Sequence, residues 1–76
     1  MPKLTLYYKP TCPFCIKVLE YLQDKKITVT LKNTSDESYQ QELLKIGGQK
    51  QVPCLVIDGK ALYESDDIIN WFEKQK

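Results

Sequence analysis

Apolar side chains fall along this chain in two rhythms, one of period two and one of period 3.6, and the switches between them outline seven elements. Leu4-Thr5-Leu6-Tyr7-Tyr8 alternates, as a strand does, and Lys9-Pro10 ends it because the residue before a proline is driven to an extended conformation. Pro13 suits the first position of a helix, where its missing N–H is no loss. Cys15, Val18, Leu19 and Leu22 then follow at i, i+3, i+4 and i+7, which predicts an amphipathic helix over 13–25. Ile27, Val29 and Leu31 alternate with Thr28, Thr30 and Lys32, the pattern of a half-buried edge strand with its polar face in water. Thr34 with Glu37 three residues on has the form of a capping box. Tyr39, Leu43 and Ile46 mark one face of the helix it would open, and Gly47-Gly48 end it. Val52-Pro53-Cys54-Leu55-Val56-Ile57 is apolar on both faces, as a central strand is, and Asp58-Gly59 is a two-residue hairpin turn into a strand over 60–63. Ser65 reads as the cap of a last helix, with Asp66 and Asp67 in its first turn and Ile68, Ile69 and Phe72 as its buried stripe.

The order β-α-β-α-β-β-α, with a right-handed crossover in its βαβ unit, predicts an α/β fold: a four-stranded mixed sheet flanked by three helices on both faces. That is a thioredoxin-like architecture. No repeat, low-complexity stretch or linker divides it, so residues 1–76 are expected to form a single domain. A chain of this length buries only about 60% of its unfolded surface, enough for one core. Eleven Lys plus Arg against ten Asp plus Glu leave a net charge of +1, which argues against nucleic acid or an anionic membrane as partner. The basic ends at 25–26 and 74–76 read as solvated. No apolar run is long enough to span a bilayer, and residues 1–4 lack the apolar core of a signal peptide, so the expectation is a cytoplasmic monomer. The absence of histidine removes the commonest catalytic base and metal ligand.

The sharp chemical signal is Cys12-Pro13-Phe14-Cys15. A CxxC that straddles the start of a helix, directly after the first strand of a βαβ pattern, is the arrangement expected of a dithiol redox site. With Cys12 at the N-cap and Pro13 at N1, the Cys12 sulfur would face unpaired backbone N–H groups at the positive helix end, and Lys9 adds its charge. Both favour thiolate over thiol, by about 1.4 kcal/mol for each pKa unit. Cys15, one turn further in, lacks that field and suits the role of resolving thiol. The bland readings are a structural zinc site and a pair of inert core cysteines. Zinc wants four ligands, and without histidine the chain offers three thiolates plus a carboxylate.

Lys9-Pro10-Thr11-Cys12-Pro13-Phe14-Cys15, then Gln51-Val52-Pro53, then Ser65-Asp66-Asp67 resemble the active-site, cis-proline and glutathione-binding segments of glutaredoxins, in order and over essentially the whole chain. The resemblance implies a glutathione-dependent thiol–disulfide oxidoreductase that reduces protein disulfides or glutathione mixed disulfides, with glutathione as co-substrate and no bound metal or cofactor. Cys12 would be the nucleophile and Cys15 the resolving thiol. Lys9 and Gln51 would reach the glycine carboxylate of glutathione, Val52 beside Pro53 would pair with the tripeptide as an added strand, and Ser65 and Asp66 would hold its γ-glutamyl end. Phe14 stands where many such proteins have tyrosine and keeps an aromatic wall beside the sulfur.

Two further departures shape the reading. Tyr63-Glu64 stands where the family usually has two glycines; together with Ser65 and residues 51–55 it is similar instead to the N-terminal domain of glutathione transferases, whose Glu-Ser pair grips the γ-glutamyl group. Bulk there could narrow the groove. Cys54 is an odd cysteine, read as a small buried hydrophobe or as a third redox-active thiol within exchange reach of Cys12. From another class comes a binding module, a glutathione-ligated iron–sulfur carrier or a redox adaptor; a third reading is a dithiol protein served by a dedicated reductase rather than by glutathione. Pro13 argues against the carrier, because cluster-binding members more often have a small residue after the nucleophile.

Overall fold

A computed structural model describes residues 3–49 and 51–75. Its elements are β1 (Leu4–Tyr8), α1 (Pro13–Asp24), β2 (Thr30–Asn33), α2 (Glu37–Gly47), β3 (Cys54–Ile57), β4 (Lys60–Tyr63) and α3 (Ser65–Glu73). The sheet runs β2-β1-β3-β4, with β1 parallel to β2 and antiparallel to β3, which in turn pairs antiparallel with β4. The strand alternation divides the apolar residues between two faces. Leu6 and Leu55 pack with Val18 and Leu22 of α1 and Ile68 and Phe72 of α3. Tyr7, Cys54 and Val56 pack with Leu43 of α2 on the opposite face. This is the thioredoxin-like α/β fold that the element order predicts. No helix among the described residues is long and apolar enough to cross a membrane.

Several predicted details shift, each for a local reason. The second strand is Thr30–Asn33 rather than a strand through Ile27 and Val29. Those residues are consumed by the close of α1: Lys26 takes a left-handed conformation (φ 56°), its N–H donates to the Gln23 carbonyl, and the Ile27 N–H donates to that of Leu22 at 2.9 Å. This paired closure is a Schellman-type cap, and it places Ile27 against the core as a cap contact rather than a strand residue. Leu31 lies on the edge strand and is 51% exposed, so the predicted inward alternation fails there.

Thr34 is not a helix cap. Its N–H and its hydroxyl both donate to the Tyr8 carbonyl, which closes the β1–β2 ladder and leaves the residue buried. Asp36 caps α2 instead, its carboxylate accepting from the Ser38 N–H at 2.9 Å. Ile46, predicted for the buried stripe, is exposed. Ser65 is the first residue of α3, and Glu64 (φ 72°) occupies the cap position. The hairpin is as predicted, with both Asp58 (φ 50°) and Gly59 (φ 88°) left-handed as a type I′ turn requires. Lys74 is exposed, and Lys76 lies outside the described residues.

The burial pattern separates two leucines that the sequence periodicity places alike on buried faces, Leu31 of a strand and Leu43 of a helix. Leu43→Ala is expected to lower unfolding free energy by about 2–5 kcal/mol, as truncation of a fully buried leucine does. Leu31→Ala should change it by less than about 0.5 kcal/mol, as exposed substitutions do. Urea denaturation of the two variants checks the pair.

Candidate active site

The β1–α1 junction holds both cysteines through one residue's main chain. The Lys9 carbonyl accepts the Cys12 N–H at 3.1 Å, and the Lys9 N–H donates to the Cys15 sulfur at 3.4 Å. Pro10 and Pro13 bracket this short loop, so Cys12 arrives at the N-cap of α1 in an extended conformation (φ −88°, ψ 119°) with Pro13 at N1. The Ile16 N–H already bonds the Cys12 carbonyl, which leaves the amides of Phe14 and Cys15 open at the helix start.

The two sulfurs accordingly differ. Partial burial opposes ionisation of Cys12. The Cys15 N–H, the Cys15 thiol, the Phe14 N–H and the Lys9 charge, in that order, outweigh it and hold the Cys12 pKa below that of an ordinary thiol. Cys15 is fully enclosed. Burial pushes its thiol up to about 11, the Lys9 N–H offsets only part of that, and the neighbouring Cys12 sulfur adds to it. Cys54 is enclosed as well, at the start of β3 among Tyr7, Leu43 and Val56, and burial lifts its pKa to about 11. It packs as a small apolar side chain, on the face of the sheet opposite Cys15 and α1.

Next to this junction lies a cleft of about 110 Å³ lined by Phe14, Gln51, Val52, Pro53, Glu64 and Ser65. Phe14 joins the two parts: its amide faces the Cys12 sulfur, and the residue, 63% exposed, lines the cleft. The Val52–Pro53 peptide bond is cis, and β3 begins just after it. Gln51 donates from its side-chain amide to the Glu64 carboxylate at 3.2 Å, closing the far side. Ser65 is buried at the first position of α3, where the helix presents its free N–H groups. Six residues named from the sequence, Phe14, Gln51, Val52, Pro53, Glu64 and Ser65, thus converge.

Two do not. Lys9 is exposed and acts on Cys12 through its charge and main chain, outside the cleft lining. Asp66, expected beside Ser65 at the γ-glutamyl end, turns away to pair with Lys17 of α1 at 2.5 Å on the open surface. A cation on the neighbouring helix claims it, and Glu64 supplies the carboxylate that lines the cleft. Nor does Tyr63 narrow the groove, since its hydroxyl reaches the Gln49 carbonyl at 3.3 Å.

Comparison with known proteins agrees with this fold. The family of glutathione S-transferase N-terminal domains matches residues 6–76. A glutaredoxin-like 8.6 kDa protein of the rubredoxin operon in Clostridium pasteurianum is 35% identical over 60 residues, which is 78% of this chain and 80% of that one. Oxidised glutaredoxin 2 from Chlamydomonas reinhardtii superposes with a TM-score of 0.70 at 28% identity, covering 97% of this chain and 74% of that one. A glutaredoxin–glutathione complex from buckwheat superposes at 0.74 and 22% identity, covering 99% and 72%, a likeness of fold.

Two expectations follow from the sulfurs. With iodoacetamide at neutral pH, mass spectrometry should find Cys12 alkylated first and Cys15 and Cys54 protected. The raised pKa values also carry a sign. Cys15 and Cys54 hold their protons more tightly folded than unfolded, so their contribution to stability is fully present below about pH 9 and is lost as pH rises toward about 11. Thermal melts from pH 8 to 11 should show falling stability, and Cys54→Ala should flatten that slope.

Proposed function

The chain belongs to the glutathione S-transferase N-terminal-domain family and is glutaredoxin-like, and on that premise we propose that it is a glutathione-dependent thiol–disulfide oxidoreductase. A thiol–disulfide oxidoreductase of the thioredoxin superfamily is the reading its relatives support. The observation that carries the finer reading is Phe14, one residue shared between a thiolate-favouring helix start and the cleft beside it.

In this reading the Cys12 thiolate attacks the glutathionyl sulfur of a mixed disulfide. A Cys12–glutathione bond forms, the substrate disulfide breaks, and the substrate leaves as a thiolate that takes a proton from water. A second glutathione thiolate then attacks the glutathionyl sulfur and releases Cys12 thiolate with oxidised glutathione. Alternatively Cys15 gives up its proton and attacks the Cys12 sulfur, expelling glutathione thiolate and leaving a Cys12–Cys15 disulfide that two further glutathiones reduce. A lowered Cys12 pKa serves it twice, as the ionised nucleophile and as the better leaving group.

Val52 borders the cleft just before β3 and offers main chain to an extended peptide. The γ-glutamyl carboxylate suits the Ser65 hydroxyl and the open amides of α3, and the ammonium beside it suits Glu64. Gln51 holds Glu64 in place and reaches the peptide from the opposite wall. Lys9 lies outside the lining and attracts the glycine carboxylate at longer range.

The test is glutathione-coupled reduction of a mixed disulfide. Cys12→Ser should abolish turnover. Cys15→Ser should retain reduction of glutathione mixed disulfides and lose reduction of an intramolecular protein disulfide. Glu64→Ala should raise KM for glutathione about tenfold, whereas Asp66→Ala, already committed to Lys17, should raise it less than about threefold. Activity that survives omission of glutathione, or equal effects of the two acidic variants, would contradict the assignment.

A further inference from the structure

Tyr63 ends β4 directly before Glu64, and its side chain runs away from the cleft, toward the segment that carries the cleft's other wall. Its hydroxyl donates to the Gln49 carbonyl at 3.3 Å. Its ring crosses the last helical residue of α2 so closely that a Cβ on Gly47 would collide with the hydroxyl and come within 2.8 Å of the ring carbon bearing it. Gly47 has no positive φ and lies within the helix, so what glycine supplies there is space for that ring. The inner edge of the ring rests on the Tyr7, Leu43, Cys54 and Val56 cluster. Cys54, its register partner across the β3–β4 ladder, sets its thiol against the same hydroxyl. Glu64 meanwhile accepts from Gln51. Consecutive residues at the β4–α3 junction therefore bond Gln49 and Gln51.

We propose that Tyr63 is a positioning residue for the glutathione cleft, fixing through Gln49 the segment that presents Gln51 and Val52, and that Gly47 is glycine because this clasp needs the volume of a side chain. The inference rests on the proposed use of the cleft by glutathione, but the clasp itself is a property of the ligand-free protein. The aromatic side chain packs against the end of α2 and reaches the Gln49 carbonyl from outside the cleft lining. Its action falls on ligand seating and leaves the Cys12 sulfur, held by a different junction, unchanged.

The experiment compares wild type with Tyr63→Phe, which keeps the ring and loses the hydroxyl, and with Gly47→Ala, which displaces the ring. Amide hydrogen exchange at Gln51 and Val52, read by NMR without ligand, should quicken in both. KM for glutathione should rise about fivefold, the worth of one hydrogen bond, with kcat and the Cys12 alkylation rate within twofold of wild type. Near-UV circular dichroism checks that both variants are folded. Folded variants with wild-type exchange and wild-type KM would overturn the inference, and so would a fall in kcat at constant KM. If Gly47→Ala does not fold, Tyr63→Phe alone decides. If the wild type does not use glutathione, the proposed function fails in the kinetic arm, while unchanged or quickened exchange still decides whether Tyr63 holds the segment.

Discussion

The open amides at the start of α1, and the single residue before them whose main chain serves both cysteines, create a difference in proton affinity between two sulfurs one helical turn apart. Cys12 faces N–H groups that the helix cannot use internally, whereas Cys15 is drawn under the sheet, where burial opposes charge. Neither property belongs to cysteine as such. Each follows from where β1 ends, where the prolines fall and which turn of α1 enters the core. The strands and remaining helices give that junction a fixed base, with Leu6 of β1 and Val18 of α1 packed into one core cluster with Leu55.

A second group of constraints builds the cleft. Its walls come from four places in the sequence: the first turn of α1, the segment before β3, the β4–α3 junction and the first residue of α3. The hairpin at Asp58 and Gly59 brings the last two beside the β3 segment, because a tight type I′ turn fixes the register that sets Cys54 opposite Tyr63. From there the polypeptide must pass into α3 in one residue. Glu64 makes that passage with a positive φ, a conformation that costs a non-glycine residue on the order of 1–3 kcal/mol, and in doing so turns its carboxylate into the cleft.

Most of this was legible in the amino-acid sequence where the signal is local. The CxxC at a strand-to-helix junction, the Asp58-Gly59 turn and the amphipathic stripe of α1 each depend on residues a few positions apart, and each appears where the pattern puts it. The misreadings arise where two local rules compete or where a distant group intervenes. Ile27 satisfies a strand alternation and a helix-cap contact equally well, and the cap prevails because Lys26 can turn left-handed. Thr34 has capping chemistry, yet the Tyr8 carbonyl takes its hydroxyl and Asp36 inherits the cap. The Lys17–Asp66 pair is not visible to any local pattern, since its partners lie 49 residues apart in the chain. Tyr63 against Gly47 is likewise a meeting that only the β3–β4 register creates.

Reactivity requires both an ionised Cys12 and a cleft that seats glutathione, and incubation with oxidised glutathione followed by mass spectrometry tests the two at once. A single glutathione adduct on Cys12 is expected, seen stably in Cys15→Ser and giving way to a Cys12–Cys15 disulfide in the wild type. An adduct on Cys54, or an intact set of three thiols after prolonged incubation at neutral pH, would contradict it.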